Sequence, residues 1–242
     1  MSRNIVFAAA TAAILLVPGT VAASNDQSMH PSARSALQYF EPALDGGFLP
    51  FLTQRRRPAP SSIFRARVMA TLPKEGELSP TAQEAMKLAI IPLVLAFHGR
   101  KDDMEVRLVA GDGLAFAGLH ARVVLLITRE ALELLDRDEL MAVVAHEVGH
   151  DYFWDEYEEA QKRGDHHRLQ ELELRCDGIA VITMERLRVD IAKLVSAATT
   201  VRRHNQLFGK TDDGRYVPLD QRVQFIRAMA RLTARNPIQR FR

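Results

Sequence analysis

The sequence has a single cysteine, Cys176, among 242 residues. That rules out an intrachain disulfide, so the fold must be held by its core and by whatever the core binds. It also has no excess of either charge. Thirty-two Lys and Arg stand against 30 Asp and Glu, a formal net charge of +2, which excludes the strongly basic face that nucleic-acid binding draws on. Beyond the first two dozen residues there is no apolar run long enough to cross a bilayer, and there is no internal repeat. Hydrophobic residues still make up 47% of the chain, enough to exclude a disordered protein and to fill one sizeable core.

The chain opens Met1-Ser2-Arg3-Asn4, continues with an apolar run from Ile5 to Val17, and ends that stretch on Pro18-Gly19-Thr20-Val21-Ala22-Ala23. This reads as a secretory signal over residues 1–23, cleaved after Ala23; kept in place, the same run would serve as a short membrane anchor. No cysteine follows it to carry a lipid. The expected location is the periplasm or the cell exterior. Residues 24–60, rich in Ser, Pro, Gly and Gln and containing Arg55-Arg56-Arg57, read as a flexible arm or linker with only short helical pieces. Residues 61–242 form the expected domain.

Within it, Ser79-Pro80 starts a helix reaching Phe97, kinked at Pro92 and stopped at Gly99. Glu105 to Val109, Leu114 to Leu119 and Val123 to Thr128 are short and alternating or β-branched, and make a small sheet. Asp136 with Glu139 three positions on resembles a capping box, so a helix is expected over 138–152. Tyr152 to Gly164 reads as an acidic connection. Leu169 to Leu187, Ile191 to Phe208 and Leu219 to Leu232 carry apolar residues at helical spacing. The fold class is therefore α+β, mainly helical, with a small sheet beside the helix of residues 138–152.

That helix carries His146-Glu147-Val148-Gly149-His150. Residues four apart share a helix face, so both imidazoles can reach one ion while Glu147 touches a water bound there. A catalytic zinc site takes three protein ligands and leaves a fourth position open. The next helix offers Glu173, on the apolar side with Cys176 and Ala180, where an ionised carboxylate is costly unless paired or bound to metal. Asp177, four residues later on the same face, is placed to orient one of the histidines. Glu171, His166 and His167 are alternative third ligands. Cys176 reads as packing.

In several motifs and their order the sequence resembles the HtpX and CAAX-prenyl-protease-like zinc peptidases of the gluzincin clan. The resemblance runs over about residues 104–228. It includes Leu114-Ala115-Phe116-Ala117, the run Val123 to Thr128, His146 to His150, Glu173 to Asp177, and Pro218-Leu219-Asp220-Gln221-Arg222-Val223. It implies a zincin-like fold, a Zn²⁺ cofactor and peptide-bond hydrolysis with Glu147 as catalytic base. It also implies a cleft bordered by Leu114 to Leu119 that can pair with an extended peptide, and Arg222 close to the active site. The sequence departs from that pattern at Leu114, where the family often has Asn, at Tyr216, in the short gap between the two metal helices, and in lacking the family's common transmembrane helices. Arg222 ranks ahead of Tyr216 and His204 as the group steadying the oxyanion. The expected partners are protein or peptide substrates, with association to membrane or outer-membrane proteins as a further expectation. A chaperone or assembly factor using the same zinc fold to bind clients is the competing reading.

Overall fold

Asp136 and Glu139 fix the start of the helix on which the rest is hung. The Asp136 carboxylate accepts the N–H groups of Asp138 and Glu139, and the Glu139 carboxylate accepts the N–H of Asp136, closing the expected capping box. The computed structural model describes residues 29–72, 76–209, 214 and 216–235. The leader of residues 1–23 lies outside the described residues, as does most of the turn region at 209–214.

The elements in chain order are helices α1 (Pro31–Phe40), α2 (Ala43–Gly46), α3 (Phe48–Arg55), α4 (Ser62–Thr71), α5 (Ala82–Leu88) and α6 (Ile91–Phe97), strands β1 (Glu105–Val109), β2 (Ala117–His120) and β3 (Val124–Thr128), then helices α7 (Arg129–Leu134), α8 (Arg137–Tyr152), α9 (Trp154–Arg163), α10 (His166–Leu187), α11 (Ala192–Leu207) and α12 (Leu219–Arg235). The architecture is mostly helical with one three-stranded sheet of order β1-β3-β2. β1 runs parallel to β3 and β2 antiparallel to it, with Ala117 opposite Ile127 and Leu119 opposite Leu125. Among the described residues no helix is long and apolar enough to cross a membrane.

Three local expectations need correction. Residues 24–60 are no loose arm where they are described. Ala33, Ala36 and Phe40 of α1 and Phe48, Phe51 and Leu52 of α3 are buried in the main core. Phe40 lies over Gly178 of α10, where an added Cβ would come within 2.3 Å of the ring. The stripe Ala33, Ala36, Phe40 has helical spacing, but the polar composition around it masks the pattern. The stretch after Tyr152 is helix α9 rather than a connection. Its acidic first turn, its Lys162 and Arg163 in the last turn and the pairs Glu158–Lys162 and Glu159–Arg163 sustain a helix with little apolar content. The helix expected from Ser79 to Phe97 is two helices. Thr81, not Ser79, caps α5, and the chain breaks before Pro92, which sits in the first turn of α6 where its missing N–H costs nothing.

The central packing is α8 on α10. At Gly149 a Cβ would stand 2.8 Å from the Cα of Cys176, so glycine is what allows the two backbones to approach this closely. Cys176 is fully buried beneath it. Gly149→Ala should lower stability by about 1–3 kcal/mol through overpacking and reduce metal retention as α8 moves off α10. Thermal unfolding and metal analysis of the variant measure both effects.

Candidate metal centre

The close approach of α8 and α10 brings His146, His150 and Glu173 together. His146 Nε2 lies 3.3 Å from Glu173 Oε2, and His150 Nε2 lies 3.9 Å from Glu173 Oε1. The two imidazoles stand edge to face, 5.2 Å apart between ring centres. One ligand atom from each of His146, Glu147 and His150 falls within 4.8 Å of the others, a group that could hold a metal ion. Glu173 is 3% exposed, and its Oε2 is buried without a hydrogen-bond donor. A buried carboxylate oxygen in that state costs free energy that a cation beside it would remove. Two imidazole nitrogens and one carboxylate are also the donor set that suits zinc with an open fourth position. The residues present therefore fit the ion.

Around these groups lies a second set that orients them. Asp177 Oδ1 is 2.8 Å from His146 Nδ1. Arg222 holds the same carboxylate twice, Nε to Oδ2 and Nη2 to Oδ1, both at 2.6 Å. Burial alone would raise the Asp177 pKa, but the charge of Arg222 and the hydrogen bonds it receives bring it down to about 2. Asp177 is thus an acceptor, His146 Nδ1 carries the proton, and Nε2 faces Glu173. Tyr157 of α9 donates its hydroxyl to Glu173 Oε1 at 2.9 Å and sets its ring edge against His150 at 5.0 Å. The sequence reading missed Tyr157 because it took α9 for a loop. The helical spacing that links Tyr157 to Trp154 and Gln161 was the available signal.

The competing ligands are not brought in. Glu171 is committed to Arg168 at 2.7 Å and Arg175 at 2.6 Å. His166 and His167 open α10, seven and six residues before Glu173, or about 10 Å along the helix axis. Of the oxyanion candidates, His204 Nε2 bonds the Gly113 carbonyl at 2.8 Å. Arg222, ranked first in sequence, spends its guanidinium on Asp177, so its geometry is that of a positioning residue rather than a catalytic one. Tyr216 lines the cleft together with His146 and Glu147. The Glu173 carboxylate and then burial push its phenol pKa well up, so it stays protonated.

Glu147 is half-buried, and burial is the main cause raising its pKa. Its Oε2 accepts the N–H of Leu119 in β2 at 3.1 Å. A cleft of about 280 Å³ opens beside it, walled by Phe116, Val143, Leu194, Ala197, Val201 and Val217.

Burial alone would lower the His146 pKa. The hydrogen bond to Asp177 and the two carboxylates outweigh it and raise the pKa to about 10. At neutral pH the metal-free site therefore holds a proton on His146 that a metal must displace. The sign follows: apparent Zn²⁺ affinity should climb about tenfold per pH unit on this proton's account, from neutrality until it levels off near pH 10. Calorimetric titrations in buffers of different ionisation enthalpy should register the released proton; a pH-independent affinity would contradict the assignment.

A search of curated proteins finds no match to the chain. Residues 81–165 match the model of Peptidase family M48. The matched stretch contains the sheet, α8 and the histidine-glutamate cluster, and it ends before Glu173, Asp177 and Arg222, whose placement rests on geometry alone. Residues 81–165 are thus similar to the M48 zinc metallopeptidases, in keeping with the chain's HtpX- and CAAX-protease-like motifs, and the matched stretch contains a group that could hold the zinc this family uses.

Proposed function

We propose that the chain is an endopeptidase that hydrolyses peptide bonds of exported or misfolded proteins, with His146, His150 and Glu173 as the metal ligands and Glu147 as the general base. The observation that carries this reading is the position of Glu147. Its carboxylate belongs to the same tight cluster as the two histidines and is anchored to a main-chain N–H of the strand bordering the cleft. A metal serving only to hold the fold needs no such group. Bound zinc would supply Lewis acidity, lowering the pKa of a water and polarising a carbonyl.

The chain's own residues do the rest. Glu147, with a pKa raised by burial, is a stronger proton acceptor than an exposed carboxylate, and so suited to take a proton from the attacking water and hand it to the leaving amine. Tyr216 is the donor placed to steady the oxyanion, since its phenol is kept protonated and lines the same cleft. Asp177 and Arg222 hold His146 in the tautomer that presents Nε2. The leader-like residues 1–23 support action outside the cytoplasm. The client-binding reading is less favoured, because it leaves Glu147 without a task.

Glu147→Gln should retain zinc and lose about 10²–10⁴-fold in turnover, matching the effect of a chelator on the unaltered enzyme. Metal analysis and cleavage of an unfolded protein check it, and normal turnover in that variant would refute the role. Tyr216→Phe should cost about a hundredfold in kcat with little change in KM; an unaltered kcat would remove Tyr216 from the mechanism.

A further inference from the structure

The outer edge of β2 is largely occupied by the chain itself. Thr128 donates its N–H to the Phe116 carbonyl, and Ala117 stands opposite Ile127. The alternation of an antiparallel ladder then turns Phe116, Gly118 and His120 towards β3, and Ala115, Ala117 and Leu119 away from it. Leu119 gives its N–H to Glu147. Ala115 gives its N–H to Asn205 Oδ1 at 2.9 Å and receives the Asn205 Nδ2 donor on its carbonyl at 2.8 Å. Ala117 lies between them and lines the cleft. Among the described residues nothing bonds its N–H or C=O.

A primary amide that offers one acceptor and one donor to the N–H and C=O of a single residue copies one rung of a neighbouring strand. Asn205 is held in that pose. One residue before it, His204 bonds the Gly113 carbonyl. Three residues after it, the Phe208 ring covers Gly113 so closely that a Cβ there would come within 2.4 Å. The last turn of α11 therefore clamps the segment leading into β2 at consecutive points, and the side chain of Asn205 fills the rung where an incoming strand would otherwise continue.

We propose that Asn205 is a stop on the peptide-pairing edge, a specificity-determining residue that confines main-chain pairing of a bound extended peptide to the rung at Ala117 and so limits the length of chain that adds to binding on the Ala115 side. The proposal rests on the peptidase reading above. Its physical basis is that strand addition proceeds rung by rung until a main-chain N–H and C=O are already satisfied.

The test is a ladder of peptides lengthened one residue at a time at either end. Binding is measured to zinc-loaded Glu147→Gln protein, which leaves them uncut, and kcat/KM with Glu147 in place. With Asn205 present, affinity should level off at a short length. In Asn205→Ala it should go on rising at one end for about two more residues, by about fivefold in all, the worth of one freed pair of main-chain hydrogen bonds. Asn205→Asp can accept from the Ala115 N–H but offers its carbonyl nothing, so it should fall between the two; it also carries the test if the alanine variant unfolds on heating below the assay temperature. The same levelling-off length in all three proteins, a uniform loss at every length, or no peptide binding by the folded zinc-loaded protein would overturn the stop. Chelator-sensitive cleavage by the enzyme judges the peptidase reading separately: a shifted ladder without any cleavage would sink that reading and leave the stop standing.

Discussion

The structure depends on how closely two helices approach. Gly149 on α8 meets Cys176 on α10 with no room for a Cβ between them. That contact sets the reach from His146 and His150 to Glu173 at less than 4 Å. A wider crossing would leave the histidines on one helix and the carboxylate on another without a shared ion. The packing on the far side of α10, where Phe40 of α1 fills the space above Gly178, holds that helix from behind. The metal group and the hydrophobic core are therefore one construction, and this is how a chain with one cysteine can keep a rigid site without a disulfide.

Charge is the second constraint. Glu173 and Asp177 are both nearly inaccessible to water, and Glu147 lies beside them. Arg222 neutralises only Asp177. The remaining negative charge has to be met at the histidines, by a proton on His146 or by a divalent ion between the rings. The raised pKa of His146 and the lowered pKa of Glu173, whose burial penalty is overcome first by the charge of His150, are two faces of that need. A site assembled in this way would release the proton on His146 when a metal ion takes its place.

Much of this was legible from residue spacing. The Asp136–Glu139 cap, the histidines four apart on α8 and the carboxylate on the apolar face of α10 are local patterns, and the helices and strands that carry them lie within a few residues of where periodicity puts them. What the spacing could not give was partnership across the fold. Arg222 near the site was expected from resemblance, but only the three-dimensional pairing shows its guanidinium committed to Asp177. Tyr157 and α9 were hidden because the few apolar residues at helical spacing, Phe153, Tyr157 and Ala160, are outnumbered by the charged residues around them. The buried face of α1 was hidden by the polar residues between Ala33, Ala36 and Phe40. Asn205 gave no signal at all: an asparagine late in a helix usually marks only an approaching end.

The cleft follows from these same placements. β2 offers an edge on one side, α11 supplies the apolar wall on the other, and Glu147 reaches across to the Leu119 N–H. An exposed sheet edge beside an apolar wall invites any extended chain, including a second copy of the protein. Here two of the three outward positions are already bonded internally, and the one that is open lies next to the proposed base. Occupying the edge thus leaves fewer free main-chain groups for unproductive strand pairing, and the open position at Ala117 lines the same cleft as Glu147.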